Sequence, residues 1–196
     1  MTGDDYVTAK RLAVFDATTP AQFRHAALED FDTDIATECR GWIHDPAGAL
    51  VIYGPTGTGK TRLMYAVARQ LVADGAHVEL WPVVQLLTAA RASFDTGGAT
   101  DRAAAAARVD VLGLDDLGAE RVTDWTRELL HSIIDARWQH ARPTIATTNV
   151  TAEALSDAVG ERATSRLWHN ATLVGVLGGD RRRAGTSAPI AADTGF

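Results

Sequence analysis

The residues best suited to chemistry stand together at positions 54–61: Gly54, Pro55, Thr56, Gly57, Thr58, Gly59, Lys60 and Thr61. They fit the phosphate-binding pattern G-x-x-x-x-G-K-[ST] at every specified position. Each part has a task. The glycines let main-chain N–H groups turn inward around a polyphosphate with no Cβ in the way. Lys60 can reach the β- and γ-phosphates as a point charge, and the Thr61 hydroxyl can ligate Mg2+. A chance glycine-rich turn is the bland alternative, and the flanking segments argue against it. Residues 49–53 are an unbroken apolar run, the mark of a buried strand. Residues 60–72 then read as a helix with Leu63, Met64, Val67 and Leu71 on one face. A helix N-terminus at that point adds its dipole to anion binding.

Further candidates lie downstream. Asp115 and Asp116 follow residues 109–114, which read as a buried strand, and so stand at its C-terminal end, where open α/β sheets bind ligands. Asp115 can hold Mg2+ directly or through water, and Asp116 can polarise a water that attacks a γ-phosphate. Asn149 closes Thr147-Thr148-Asn149 at the end of another strand. It either holds that water and senses the γ-phosphate, or begins a turn before Thr151 as a helix N-cap. Arg162 and Arg166 are four apart and share a helix face. They are solvated or paired arginines, or one reaches a neighbouring subunit's γ-phosphate as an arginine finger. The run Arg181-Arg182-Arg183 reads as a solvated charge run, a nucleic-acid contact or a γ-phosphate sensor in cis.

These residues need a scaffold, and the pattern supplies one. Strands are expected at residues 49–53, 77–83, 109–114, 143–148 and 172–177. Helices are expected at 60–72, 84–94, 101–108, 125–140, 152–159 and 161–168. The alternation argues for an α/β fold, a parallel sheet with helices on both faces. Phe23, Leu28, Phe31 and Ile35 offer apolar contacts at the domain edge. The chain of 196 residues suits one domain, spanning residues 23–183, with a flexible segment at 1–22 and a disordered tail at 184–196. No apolar run has the length of a membrane span, and the acidic N-terminus is unlike a signal peptide. The single cysteine, Cys39, excludes an internal disulfide and suits a reducing cytoplasm. Net charge of −6 gives no global electrostatic case for nucleic-acid binding, so any such binding must be local or supplied by an assembly.

Taken together, residues 54–61, the block Asp115-Asp116-Leu117-Gly118-Ala119-Glu120-Arg121, Thr123-Asp124-Trp125, Thr147-Thr148-Asn149 and Gly160-Glu161-Arg162 with Ser165-Arg166-Leu167 resemble the DnaC/DnaI-like AAA+ ATPases. That family includes loaders of the replicative helicase and the similar IstB-like ATPases that regulate transposition. The resemblance runs from about residue 23 to residue 183. It implies an AAA+ P-loop NTPase with a five-stranded parallel sheet of order 5-1-4-3-2. Lys60 and Thr61 would be Walker A, Asp115 and Asp116 Walker B, Asn149 sensor 1, Arg166 the arginine finger and Arg182 the sensor-2-like arginine. It further implies ATP and Mg2+ as ligands, spiral or filamentous self-assembly, and single-stranded DNA on the inner face near Phe94 and Trp125. Trp125 has a second reading as a core anchor of its helix, one turn before Leu129.

Three departures bear on function. Family loaders carry a sizeable N-terminal helicase-binding domain, and only residues 1–48 precede the first strand here. That domain is expected to be absent or reduced. The second Walker B acid is Asp rather than the commoner Glu, one methylene shorter, which suits slow turnover. No long helical region follows Leu177, so a full lid is not expected. The leading expectation is an ATP-hydrolysing helicase loader acting in DNA replication. A transposition regulator and a nucleotide-gated scaffold that barely hydrolyses are the alternatives. A P-loop kinase is disfavoured, since no basic phospho-acceptor lid stands between Asp116 and Asn149.

Overall fold

Short apolar segments that alternate with amphipathic helices form a parallel sheet because both of its faces can then be covered. The computed structural model describes residues 3–95, 102–119 and 123–177. Its strands are β1 (Ala49–Tyr53), β2 (Val78–Pro82), β3 (Val111–Asp115), β4 (Thr144–Thr148) and β5 (Thr172–Gly175). Their order is β2-β3-β4-β1-β5 and every pairing is parallel. Read from the other edge this is the 5-1-4-3-2 order that the resemblance implied.

Alternate residues of β1 feed opposite faces, as strand geometry requires. Leu50 and Ile52 enter a core with Leu63, Met64 and Val67 of α3 (Lys60–Ala73) and with Cys39 and Trp42 of α2 (Thr33–His44). Ala49 and Val51 face the other core, built by α4 (Val83–Asp95), α5 (Arg102–Arg108), α6 (Asp124–Gln139), α7 (Ala152–Val159) and α8 (Glu161–Trp168). Leu86, Leu114 and Leu130 of this second core are fully buried. Each such side chain contributes about 1.5–3 kcal/mol by leaving water. No helix among the described residues is long and apolar enough to cross a membrane.

Within the segment expected to be flexible, the described residues include a helix. Gly3–Thr18 form helix α1, which packs along α3. The ties are tertiary. Arg69 of α3 donates Nε and Nη2 to the two carboxylate oxygens of Asp16, both at 2.9 Å. The Asp16 carboxylate in turn holds the Arg69 guanidinium above its ordinary pKa. Phe15 meets the ring of Tyr65, and Arg11 donates to the Gly75 carbonyl at 2.6 Å. The sequence of α1 has no strong apolar stripe, so the helix draws its order from α3 rather than from its own pattern. Residues 19–31 continue across the start of α3. Phe23 stacks on Tyr65 at 4.8 Å, and Arg62 bonds Asp30 and the carbonyls of Gln22 and His25.

At the N-terminal ends of β3 and β4 lies a residue that pattern reading passed over. Arg137 of α6 is 1% exposed. Its guanidinium donates to the carbonyls of Ala106, Val109, Asp110 and Pro143 and to the Thr144 hydroxyl. It thereby caps the C-terminal carbonyls of α5 and fastens the starts of β3 and β4. Burial, reinforced by the nearby Arg142 charge, lowers its pKa to about 10, so it stays charged at neutral pH.

Candidate nucleotide-binding site

The parallel register brings the C-terminal ends of β1, β3 and β4 side by side. Tyr53 lies opposite Thr148, and Leu114 opposite Ala146. The segments that leave these strands therefore share one edge, and Lys60, Thr61, Asp115, Asp116 and Asn149 stand at or just beyond it. After β1 the chain turns through Gly54, Gly57 and Gly59, with φ of 147°, 85° and 107°. These are left-handed values that favour glycine. A Cβ at Gly54 would also collide with the main-chain oxygen of Val176. The loop then enters α3 at Lys60, which sets the N–H groups of the first helical turn beside the loop, where a helix N-terminus favours an anion.

Lys60 is buried, and its Nζ donates to the carbonyls of Gly54 and Pro55, both at 2.9 Å. Thr61 Oγ1 donates to Asp115 Oδ1 at 2.9 Å, a contact between residues 54 apart in sequence. Thr147 Oγ1 donates to the same oxygen at 2.6 Å and accepts from the Asp116 N–H at 2.9 Å. Burial pushes the Asp115 carboxyl above its ordinary range. The hydroxyls of Thr147 and Thr61 oppose that rise, Asp116 adds to it and Lys60 counters it. The Thr61 hydroxyl and the Asp115 carboxylate make a set of hard oxygen donors, which suits Mg2+.

Asp116 is exposed and holds φ at 62°, an uncommon value outside glycine that Asp tolerates better than most residues. The surrounding bonds fix it. Its own N–H goes to Thr147, the Leu117 N–H goes to the Thr147 carbonyl, and Thr148 Oγ1 donates to the Leu117 carbonyl. A strained residue locked from several sides is the pattern of functional positions. Asn149 is exposed at the end of β4, and its side-chain amide meets Thr56 Oγ1 of the phosphate loop at 3.3 Å. Thr151 caps α7 by accepting from the Ala154 N–H, so the turn expected before that helix also exists. Asn149 therefore stands both beside Thr56 of the loop and just before the α7 cap.

Other expected residues lie apart. Arg166 sits on α8, and all its described contacts are with α6. Nη1 lies 2.6 Å from Asp135 Oδ1 and 3.1 Å from His131 Nε2, with the guanidinium 5.3 Å from the Trp138 ring centre. Arg162 is exposed. Trp125 is half-buried against the second core, and the Arg91 guanidinium lies 4.5 Å over its ring. Phe94 is within α4, but its side chain lies outside the described residues, as do Arg182 and the rest of the run 181–183.

Two participants escaped the sequence reading. Thr147 is fully buried in β4, and its signal was a run of hydroxyl residues closing an otherwise apolar strand. Arg91 stands one helical turn before Phe94, so helix spacing could have linked them.

Known proteins share this arrangement. The family model of the IstB-like ATP-binding proteins matches residues 11–188. The chain is 34% identical over 118 residues to the protein YdaV of Escherichia coli K12, covering 60% of this chain and 48% of that protein. It is 26% identical over 142 residues to the replicative helicase loader DnaC of the same strain, covering 71% and 53%. It thus spans about half the length of the curated relatives it matches. The crystal structure of the DnaC helicase loader superposes with a TM-score of 0.74 at 25% identity, over 80% of this chain and 99% of that one. With the phosphate loop, the Thr61–Asp115 pair and the AAA+ strand order all in place, the chain belongs to the IstB-like ATP-binding protein family.

Proposed function

We propose that this protein is an AAA+ ATPase of the helicase-loader type, which assembles on single-stranded DNA and helps place a replicative helicase. The observation that carries the reading is the bond between Thr61 Oγ1 and Asp115 across 54 residues, beside the buried Lys60. Walker A and Walker B chemistry need that proximity, and nothing in a purely structural loop does.

The reaction follows from these positions. The N–H groups of the loop and of the first turn of α3 receive the phosphates of ATP. Lys60 exchanges the carbonyls of Gly54 and Pro55 for β- and γ-phosphate oxygens. Thr61 and Asp115 would hold Mg2+, which would offset phosphate charge. Asp116 accepts a proton from water as the water oxygen attacks the γ-phosphorus. The bond from that phosphorus to the bridging oxygen breaks, and ADP leaves with the electron pair. Asn149, within reach of Thr56, senses whether the γ-phosphate is present. Arg166 of an adjoining subunit offsets the charge that develops on the transferred group, and Arg182 acts as the sensor-2-like arginine. Single-stranded DNA is met by Phe94, Trp125 and the Arg91 stacked on it, with a base–aromatic contact worth roughly 1–3 kcal/mol. Assembly then runs along the strand as a spiral or filament.

The IstB-like family match favours one second reading, a regulator of transposition that uses the same site on target DNA. Asp116→Asn tests the catalytic claim. It should keep ATP binding, trap the assembly on single-stranded DNA, and lower turnover by about 10²–10⁴-fold. A wild-type protein without ATP turnover on single-stranded DNA, matched by Asp116→Asn, would leave a nucleotide-gated scaffold instead. Pull-down from the native host with ATP and with a slowly hydrolysed analogue then separates the partners. A captured helicase supports loading, and a captured transposase supports the second reading.

A further inference from the structure

Arg166 is held in an unusual way. Asp135 Oδ1 is cut off from solvent and lies 2.6 Å from Arg166 Nη1, yet outside hydrogen-bond alignment. The contact is therefore an ion pair without a matched hydrogen bond. The other oxygen, Oδ2, accepts from Gln139 Nε2 at 2.9 Å, which fixes the carboxylate on its helix. His131 Nε2 approaches the same Nη1 at 3.1 Å. The Trp138 ring, itself half-exposed, supports the guanidinium at 5.3 Å. His131, Asp135 and Trp138 are four and three residues apart, so they form one stripe of α6 facing α8.

Among the described residues, every polar contact of Arg166 runs through Nη1. A guanidinium carries five donors in a planar fork. Holding one corner leaves the Nε–Nη2 edge as the bidentate edge, the geometry that matches phosphate oxygens. Arg137 on the same helix shows the contrasting case, with its donors spent on main-chain carbonyls.

We infer that Asp135 and Trp138 are positioning residues for Arg166, anchoring its Nη1 corner so that the opposite edge meets the γ-phosphate in the neighbouring subunit. This rests on the reading of Arg166 as a finger acting in trans. Mispositioning a reacting group by about 1 Å costs on the order of a hundredfold in rate. Asp135→Asn is nearly isosteric and removes only the charge.

The test measures ATP turnover on single-stranded DNA together with fluorescent-ATP affinity and thermal midpoint. Asp135→Asn should lower kcat by about tenfold to a hundredfold, with the KM for ATP unchanged. Its loss should be rescued by mixing with Lys60→Ala subunits, which supply an intact finger face. It should not be rescued by Arg166→Ala subunits, which are defective on the same face. Trp138→Leu, altered at a half-exposed position, should show the same pattern with a smaller loss and guards against a folding defect in Asp135→Asn. Wild-type kcat in both variants overturns the inference, as does a loss in both that Lys60→Ala subunits cannot rescue. If Arg166→Ala is itself not rescued by Lys60→Ala at any ratio, the trans-acting finger fails and this inference falls with it. If Arg166→Ala is rescued while Asp135→Asn and Trp138→Leu are not, the finger stands and only the positioning role is lost.

Discussion

Two buried cations mark the two ends of the parallel sheet, and they are used in opposite ways. At the N-terminal ends of β3 and β4, Arg137 donates to four main-chain carbonyls and a threonine hydroxyl drawn from α5, the β3 and β4 approaches and β4. At the C-terminal ends, Lys60 donates to the carbonyls of Gly54 and Pro55, within the loop it follows. The acceptors of Arg137 lie in α5 and β4 or in the residues that lead directly into β3 and β4, which cannot move apart without unfolding. Those of Lys60 belong to a loop whose Pro55 is exposed, so water or phosphate can replace the ammonium there. A guanidinium with a rigid fork suits the first task, and a compact point charge on a flexible stem suits the second. Burial of a charge therefore does not mark function. The mobility of what the charge is bonded to does.

The sharpest way to break this comparison is to remove each cation. Arg137→Met leaves several buried carbonyls without donors and should cost about 3–5 kcal/mol, read as lowered urea midpoint or insoluble protein. Lys60→Ala should abolish measurable ATP binding by fluorescent-nucleotide titration while moving the thermal midpoint by no more than a few degrees. Equal thermal losses in the two variants would erase the distinction.

A second test compares Trp125 with the core it touches. Trp125→Ala should weaken single-stranded DNA binding by about 1–3 kcal/mol in a titration at fixed salt. A large fall in thermal midpoint with unchanged DNA affinity would place Trp125 with the core instead.

Cys39 sharpens the contrast from the buried side. Burial, aided by the neighbouring Glu38 charge, pushes its thiol from its ordinary value of 9.0 up to about 12. Above pH 9 the unfolded thiol loses its proton and the folded one keeps it, so the folded state binds more protons. Stability from this group is then full below pH 9 and falls by about 1.4 kcal/mol per pH unit as pH rises toward 12. Denaturant curves at pH 9 and 10 for wild type and Cys39→Ala measure the difference. The native thiol should also resist disulfide reagents at pH 8 and react on unfolding.

The smallest effect lies at the Arg137 end. Ala141 holds φ at 49° just past α6, where its N–H bonds the Trp138 carbonyl and the Arg142 N–H bonds the Arg137 carbonyl. Glycine is the residue such a helix end favours. Ala141→Gly should stabilise the protein by about 0.5–1 kcal/mol in urea unfolding. A loss of stability would mean that the Cβ contributes packing that outweighs the strain.

How much of this was legible beforehand differs by region. The strand–loop–helix around residues 49–73 could be read because buried parallel strands are continuous apolar runs and the phosphate loop has a fixed pattern. Helices 152–159 and 161–168 were bounded correctly by Thr151 and Gly160, residues with clear capping roles. Helix α1 was not legible. Its ties are Asp16 to Arg69, Phe15 to Tyr65 and Arg11 to the Gly75 carbonyl, partners 50 or more residues away. Arg137 was equally hidden, since in sequence it is one more charged residue on an amphipathic helix.

By itself the sequence determined the chemical vocabulary of this protein: a phosphate loop, two adjacent carboxylates, an amide closing a strand and arginines at helix spacing. Those follow from short-range rules of motif and period. Only the tertiary structure decided which of them meet. Parallel register set Thr61, Asp115 and Thr147 within hydrogen-bond reach, brought Asn149 to Thr56, and laid Arg166 against Asp135 on another helix. Such contacts span tens of residues, and their partners are chosen by which strands pair and which helices pack.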